Sequence, residues 1–170
     1  MVNHMMDQGL FLARLVLGLL MAGHGSQKLF GWFGGYGLTG VSGFFEGLGF
    51  RPGRLFAIAA AGSEVVSGIL MAAGFLGPIG PALMLSVMIV AAVSVHAKNG
   101  VFATTNGIEV PLLYATGAVA LALTGPGRLS VDAALGIASV WTPLLIWGVL
   151  LAAIAGGLAN LALRRPPVAA

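Results

Sequence analysis

The sequence contains LFLARLVLGLLMAGHGSQKLFGWF at residues 10–33, an apolar run interrupted by only two charged side chains, Arg14 and Lys28. A helix needs about 20 apolar residues to cross the roughly 30 Å hydrocarbon core of a bilayer. The run does not resemble a secretory signal peptide, because residues 1–9 lack lysine and arginine and no small-residue cleavage site precedes a soluble domain. It therefore predicts a membrane-spanning helix of the mature protein.

The composition of the whole chain also indicates a membrane protein. Of the 170 residues, 58% are hydrophobic and 8% are charged, whereas soluble domains carry about 25% charged residues. The net charge is +3, but the basic residues form no stripe, which argues against nucleic-acid binding. The lack of cysteine excludes disulfides and cysteine-ligated metal centres. We expect the lipid bilayer as the main environment, with no metal site.

Four more apolar runs predict further spans, at residues 55–76, 82–97, 110–124 and 140–163. The connection GPIGP at residues 77–81 predicts an antiparallel hairpin of the second and third spans. Pro143 lies near the start of the last run, where a first helical turn tolerates proline. We predict an all-α polytopic membrane fold, a four-helix bundle plus a fifth, C-terminal transmembrane helix.

The loop after the first span predicts a short interfacial helix. Val41, Phe44, Phe45 and Leu48 follow the i, i+3, i+4, i+7 spacing of an amphipathic helix, and residues 129–139 allow a second one. We divide the chain into an N-terminal tail (1–9), the bundle (10–136), the additional helix (137–165) and a C-terminal tail (166–170).

The basic residues of the loops predict the orientation of the chain in a plasma membrane. With five spans, one side holds Arg51, Arg54, Lys98, Arg164 and Arg165, and the other holds only Arg128. The positive-inside rule then places the N-terminus outside and the C-terminus in the cytoplasm. If the fifth apolar run does not cross the membrane, each side holds three basic residues and the rule no longer predicts an orientation.

Ionisable side chains lie within the apolar runs, and a rise of about 1.5 Å per residue predicts their depths. Those expected near one membrane face, in a polar chamber, are His24, Lys28, Glu64, His96 and Tyr114. A charge at the bilayer centre costs about 2.5–3.5 kcal/mol, so we expect Glu64 to pair with Lys28 or Arg14. The alternatives are that Lys28 and Arg14 extend to opposite interfaces, or that Glu64 serves only an inter-helix bond.

Several separate motifs, in order over residues 10–136, resemble the DoxX family. They are Arg14-x3-Gly18, GHGSQKLFGWFGG at residues 23–35, FFEGLGFRPG at 44–53, Glu64, His96, GIE at 107–109 and GPGRLSVD at 125–132. The resemblance implies a four-helix membrane bundle and quinone-linked redox work, as in the large subunit of thiosulfate:quinone oxidoreductase. Residues 140–163 depart from the four-span pattern.

The leading hypothesis is a quinone-reactive subunit of a membrane oxidoreductase. Glu64 and Lys28 would act on the quinone, and the remaining pocket residues would be Arg14, His24, His96 and Tyr114. Electrons would come from a partner redox subunit, and a homo-oligomer is an alternative assembly. Whether the chain is itself an enzyme stays open.

Three other functions are compatible with the sequence. The chief alternative is a non-catalytic membrane anchor or assembly partner, whose polar residues hold helices together. His24 and His96 share a depth and would allow axial ligation of a b-type haem, which we consider less favoured. A small-solute transporter is also less favoured, because the chain has no clear inverted repeat.

Overall fold

The computed structural model describes residues 2–165 and contains helices and no strand over that range. The α-helices are α1 (Val2–Phe30), α2 (Gly37–Gly47), α3 (Gly53–Ala73), α4 (Ile79–Ala91), α5 (Glu109–Thr124), α6 (Val131–Ala134) and α7 (Pro143–Ala162). Four helices of the described part are long and apolar enough to span a bilayer, and α5 is a shorter apolar helix. The predicted all-α membrane bundle with a fifth C-terminal helix is confirmed. The predicted tail at 166–170 lies outside the described residues.

The first helix differs from its predicted limits at both ends. It begins at Val2, so the described part of the predicted tail at residues 1–9 is helical. Asp7 helps to fix this segment, because its carboxylate accepts a hydrogen bond from the Arg128 N–H at 2.9 Å. The helix ends at Phe30 because Gly31 adopts a left-handed conformation, with φ of 74°.

Small residues let α1 and α3 pack with their backbones almost in contact. A Cβ added to Gly18 would lie 2.6 Å from the carbonyl oxygen of Gly68, and one added to Gly25 would lie 2.6 Å from that of Ala61. Helices in lipid associate largely through such close packing. The α1–α3 pair is therefore the rigid centre on which the other helices are placed.

The connection between α1 and α3 contains the short helix predicted from the apolar spacing of residues 41–48. It is α2, which spans Gly37–Gly47 and packs against α3 with Val41 buried. A Cβ on Gly53 would clash with the Ser42 carbonyl and the Glu46 side chain, which shows how closely α2 approaches the start of α3.

The helix allowed at residues 129–139 is reduced to the single turn α6, followed by a short 3₁₀ turn at Ala138–Val140. The reason is Asp132, which is fully buried. Its carboxylate accepts hydrogen bonds from the N–H groups of Leu76 and Gly77 and from the indole N–H of Trp141, at 2.7–2.9 Å. The segment is therefore drawn inward against the α3–α4 turn rather than extended along an interface.

The last helix, α7, runs from one end of the bundle to the other. Its start follows Trp141, which is bonded to Asp132, and Thr142 caps it before Pro143 at its first turn. Just beyond its end, the Arg165 N–H donates to the Gly49 carbonyl at 2.8 Å. We call the end near Gly49 the Lys28 end and the end near Asp132 the Arg14 end.

Candidate functional site

Lys28 and Glu64 form an ion pair between α1 and α3. The Lys28 ammonium contacts Oε1 of Glu64, while Oε2 of the same carboxylate has no hydrogen-bond partner among residues 2–165. Glu64 is 1% exposed, and the Lys28 side chain is 32% exposed. The close packing at Gly25 brings the two helices near enough for this pairing. Of the two partners predicted for Glu64, Lys28 is the one observed.

A cavity of about 790 Å³ lies beside this pair, between the end of α1, α2, α3, α4 and the last turns of α7. We call it the Glu64 cavity. Most of its surface is apolar, with Val41, Phe44, Phe45 and Phe56 among the lining residues. Its polar lining residues are Gln27, Lys28, Tyr36, Ser63, Glu64, Ser86, Ser94 and Asn160.

The cavity wall carries a hydrogen-bond donor and a hydrogen-bond acceptor side by side. Lys28 supplies N–H donors at the wall of a mostly apolar space, and the buried Oε2 of Glu64 is an acceptor that has no partner among residues 2–165. Buried polar groups almost always have partners. A bound carbonyl group could accept a hydrogen bond from Lys28, and a bound hydroxyl group could in addition donate one to Glu64.

His24 and Tyr114 are brought together, but neither residue lines the Glu64 cavity. Their rings meet edge to face, with centroids 6.0 Å apart. Tyr114 is buried in a cluster with Met21, Met84 and Met88, and His24 is exposed on α1. The two residues thus form an α1–α5 contact rather than a wall of the cavity.

His96 closes a loop at the Lys28 end. After α4, the helix widens into a π turn, Ala92–His96, and the Nδ1 of His96 lies 2.8 Å from the Asn106 carbonyl oxygen. Nearby, Glu109 accepts a hydrogen bond from the Ala103 N–H at 2.7 Å. His96 therefore contacts the α4–α5 connection and does not line the Glu64 cavity.

Arg14 lies at the opposite end of the bundle from the other predicted site residues. Its guanidinium is 3% exposed and donates to the carbonyls of Ala72 and Leu129. It joins the end of α3 to the segment before α6. The expectation of one chamber is corrected accordingly, because only Lys28 and Glu64 of the six predicted residues meet at the cavity.

Six of the eight polar lining residues of the cavity were not predicted as site residues, among them two half-buried serines and an asparagine. Ser63, Ser86 and Asn160 line it, and Asn160 comes from α7. The sequence does contain a feature that points to Asn160, because this residue is the one amide side chain in the apolar run of α7. The two serines carried no distinguishing signal, since serine is common in membrane helices.

Within residues 2–165, no group of three histidine, aspartate or glutamate side chains could hold a metal ion.

The comparisons with known proteins agree with the resemblance noted in the sequence. A family model described as DoxX matches residues 9–97. No curated protein and no solved structure matches the chain. The matched segment includes Lys28 and Glu64, whereas Asn160 and the whole of α7 lie beyond it.

Proposed function

Because the chain belongs to the DoxX family, we propose that it is a quinone-interacting subunit of a membrane oxidoreductase complex and that the Glu64 cavity holds the quinone ring. The observation that carries this proposal is the unpartnered Oε2 of Glu64, a buried acceptor beside the Lys28 ammonium at the wall of a large apolar cavity. The membrane location supplies the ligand class, since quinones dissolve in the bilayer.

The pair of side chains suits both redox states of such a ring. Lys28 would donate a hydrogen bond to the carbonyl of the oxidised ring, and Oε2 of Glu64 would accept one from the hydroxyl of the reduced ring. A carboxylate and an ammonium in contact can also exchange a proton with the bound oxygen. These two side chains therefore support binding and proton transfer at the same ring oxygen.

The size and lining of the cavity support a ring with an apolar tail. Sites for small molecules have volumes of about 300–1,000 Å³, are mostly apolar and carry a few polar groups that orient the ligand. The Glu64 cavity, at about 790 Å³ with a mainly aromatic and aliphatic lining, falls within this description. The phenylalanines of α2 would contact the tail.

Reduction of a quinone takes two electrons and two protons. We assign the binding and proton-transfer steps to this chain and the electron-transfer step to a partner redox subunit, the electrons passing from its reduced cofactor to the ring. The partner's electron donor is then a separate component of the complex, and this chain contributes the membrane pocket.

Binding of a decyl-substituted benzoquinone to the protein in lipid nanodiscs tests the proposal, with decylbenzene as the apolar comparison. We expect Glu64→Gln and Lys28→Ala each to weaken quinone binding about tenfold, the effect of losing one good hydrogen bond, and to leave decylbenzene binding unchanged. Glu109→Gln is the matched control, because that carboxylate bonds the Ala103 N–H outside the cavity. Equal quinone binding by all variants would contradict the proposal.

The same variants distinguish the proposed function from the alternative one, a non-catalytic anchor or assembly partner. The observation that favours it is that the Lys28–Glu64 pair joins α1 to α3 and so stabilises the bundle. Under this alternative, the substitutions would lower the yield of a co-purifying partner, and the wild-type protein would bind quinone and decylbenzene alike.

A further inference from the structure

The serines of α3, α4 and the π turn that follows α4 fall into two groups. Ser67 donates to the Gly80 carbonyl and Ser94 to the Val90 carbonyl, the usual way in which a hydroxyl is satisfied in an apolar helix. Ser63 and Ser86 make no hydrogen bond within residues 2–165, and both are half-buried in the wall of the Glu64 cavity. Part of the cavity wall therefore retains free hydrogen-bonding capacity.

Asn160 shows the same property more strongly. Its side-chain amide has two donors and an acceptor, yet it makes no hydrogen bond to any residue of 2–165. It is half-buried and lines the Glu64 cavity. An amide on a helix that is otherwise apolar is costly in lipid unless something satisfies it. A polar atom inside the cavity would do so.

Asn160 and the Lys28–Glu64 pair face the cavity from different helices at the same end of the bundle. Lys28 lies two residues before the end of α1, and Asn160 lies two residues before the end of α7. The α7 helix packs on α4, with Gly157 against Ile89. The cavity therefore has polar groups on its α1–α3 wall and, from Asn160, on its α7 wall as well.

The end of α7 is held in this position by contacts with the turn between α2 and α3. The Arg165 N–H donates to the Gly49 carbonyl at 2.8 Å, and Nε of Arg164 donates to the Leu48 carbonyl at 2.9 Å. The Arg164 guanidinium also lies 5.6 Å from the centre of the Phe50 ring. Because α2 and α3 form the other walls, these contacts fix the α7 wall relative to them.

We propose that α7 is a binding wall of the Glu64 cavity and that Asn160 hydrogen-bonds the second oxygen of the quinone ring. This inference rests on the proposed function and assigns the oxygen opposite to the one held by Lys28 and Glu64. The amide N–H would donate to a carbonyl of the oxidised ring, and the amide oxygen would accept from a hydroxyl of the reduced ring. Asn160 thus selects ligands with two polar atoms at opposite ends of the ring.

The test is quinone binding by Asn160→Leu in nanodiscs, with the infrared carbonyl bands of the bound decyl-benzoquinone as a second measurement. We expect about tenfold weaker binding and the return of one carbonyl band to its frequency in apolar solvent, while the band shifted by Lys28 remains shifted. Asn160→Gln retains the amide, so it should restore part of the shift. Ala159→Leu is the control, since Ala159 is exposed on the outer side of α7.

The possible failures can be distinguished. If the wild-type protein binds the quinone in a Glu64-dependent manner and Asn160→Leu changes neither affinity nor spectrum, this inference is overturned and the proposed function stands. It is also overturned if Ala159→Leu weakens binding equally, because the effect would then be one of helix packing. If the wild-type protein does not prefer the quinone to decylbenzene, both proposals fall.

Discussion

Glu64 is a carboxylate near the middle of an apolar helix, and its neighbours determine how much free energy its burial costs. One of its oxygens is paired with the Lys28 ammonium, whose own side chain is 32% exposed and so keeps part of its solvation. Removal of one partner from a buried pair leaves an uncompensated charge, which typically destabilises more than removal of both. The ion pair therefore affects the free energy of unfolding whether or not a ligand is bound.

Lys28→Met is expected to lower the free energy of unfolding by about 2 kcal/mol, somewhat below the usual cost of breaking a buried pair because Lys28 is partly exposed. The double variant Lys28→Met/Glu64→Gln should recover most of this loss, since the remaining amide carries no charge. Reversible unfolding in mixed detergent micelles measures both values. A double variant less stable than Lys28→Met would show that the Glu64 charge is stabilised by other groups.

The pairing of Lys28 with Glu64 could be predicted from the sequence, whereas the positions of the other site residues could not. Sequence position gives depth along a helix, and depth alone favoured a chamber with His24 and His96. His24 and Lys28 are only about 40° apart around α1, but Lys28 contacts Glu64 of α3 whereas His24 contacts Tyr114 of α5. The π turn at Ala92–His96 changes the face on which His96 lies, and the sequence gives no signal for it.

At the scale of helices, the glycines of α1 separate into positions that packing requires and positions that it does not. A Cβ on Gly18 would meet backbone atoms of Gly68 and Ala72 within 2.6–2.7 Å. A Cβ on Gly23 would meet no atom within 4 Å. Backbone atoms cannot move aside as a flexible side chain can, so only the first position constrains the distance between α1 and α3.

Gly18→Val is expected to destabilise the bundle by about 1–3 kcal/mol, the usual cost of overpacking, because α1 must move away from α3. That movement should also separate Lys28 from Glu64 and weaken quinone binding. Gly23→Val is the matched control and should change the unfolding free energy little. Unfolding of the two variants under identical conditions is the measurement, and equal losses would contradict the packing described for the α1–α3 interface.

Some of the helix limits could be predicted from the sequence and others could not. Apolar runs and glycine or proline breaks predicted the four long apolar helices, the shorter α5 and the short helix after the first span. They did not predict how residues 129–139 would fold, because Asp132 is bonded to groups more than 50 positions earlier in the chain, Leu76 and Gly77. Long-range contacts of this kind leave no local pattern.

For the whole molecule, the contacts at both ends of α7 decide how the basic residues are distributed. Since Arg165 bonds Gly49 and Trp141 bonds Asp132, the two ends of α7 lie at opposite ends of the bundle. The residues Arg51, Arg54, Lys98, Arg164 and Arg165 are then all at the Lys28 end, and Arg128 is at the Arg14 end. The positive-inside rule predicts that the Lys28 end faces the cytoplasm.

The absence of native cysteine makes this orientation directly testable, because a single introduced cysteine is the sole target of a thiol reagent. Thr104 and Ala138 are exposed in loops at the Lys28 end and the Arg14 end, respectively. In intact cells, we expect a membrane-impermeant maleimide to label Ala138→Cys and not Thr104→Cys, and permeabilisation to expose both. Leu163→Cys, just after α7, should behave like Thr104→Cys. Labelling of Leu163→Cys together with Ala138→Cys in intact cells would mean that α7 does not cross the membrane. Labelling of Thr104→Cys and Leu163→Cys without Ala138→Cys would reverse the orientation.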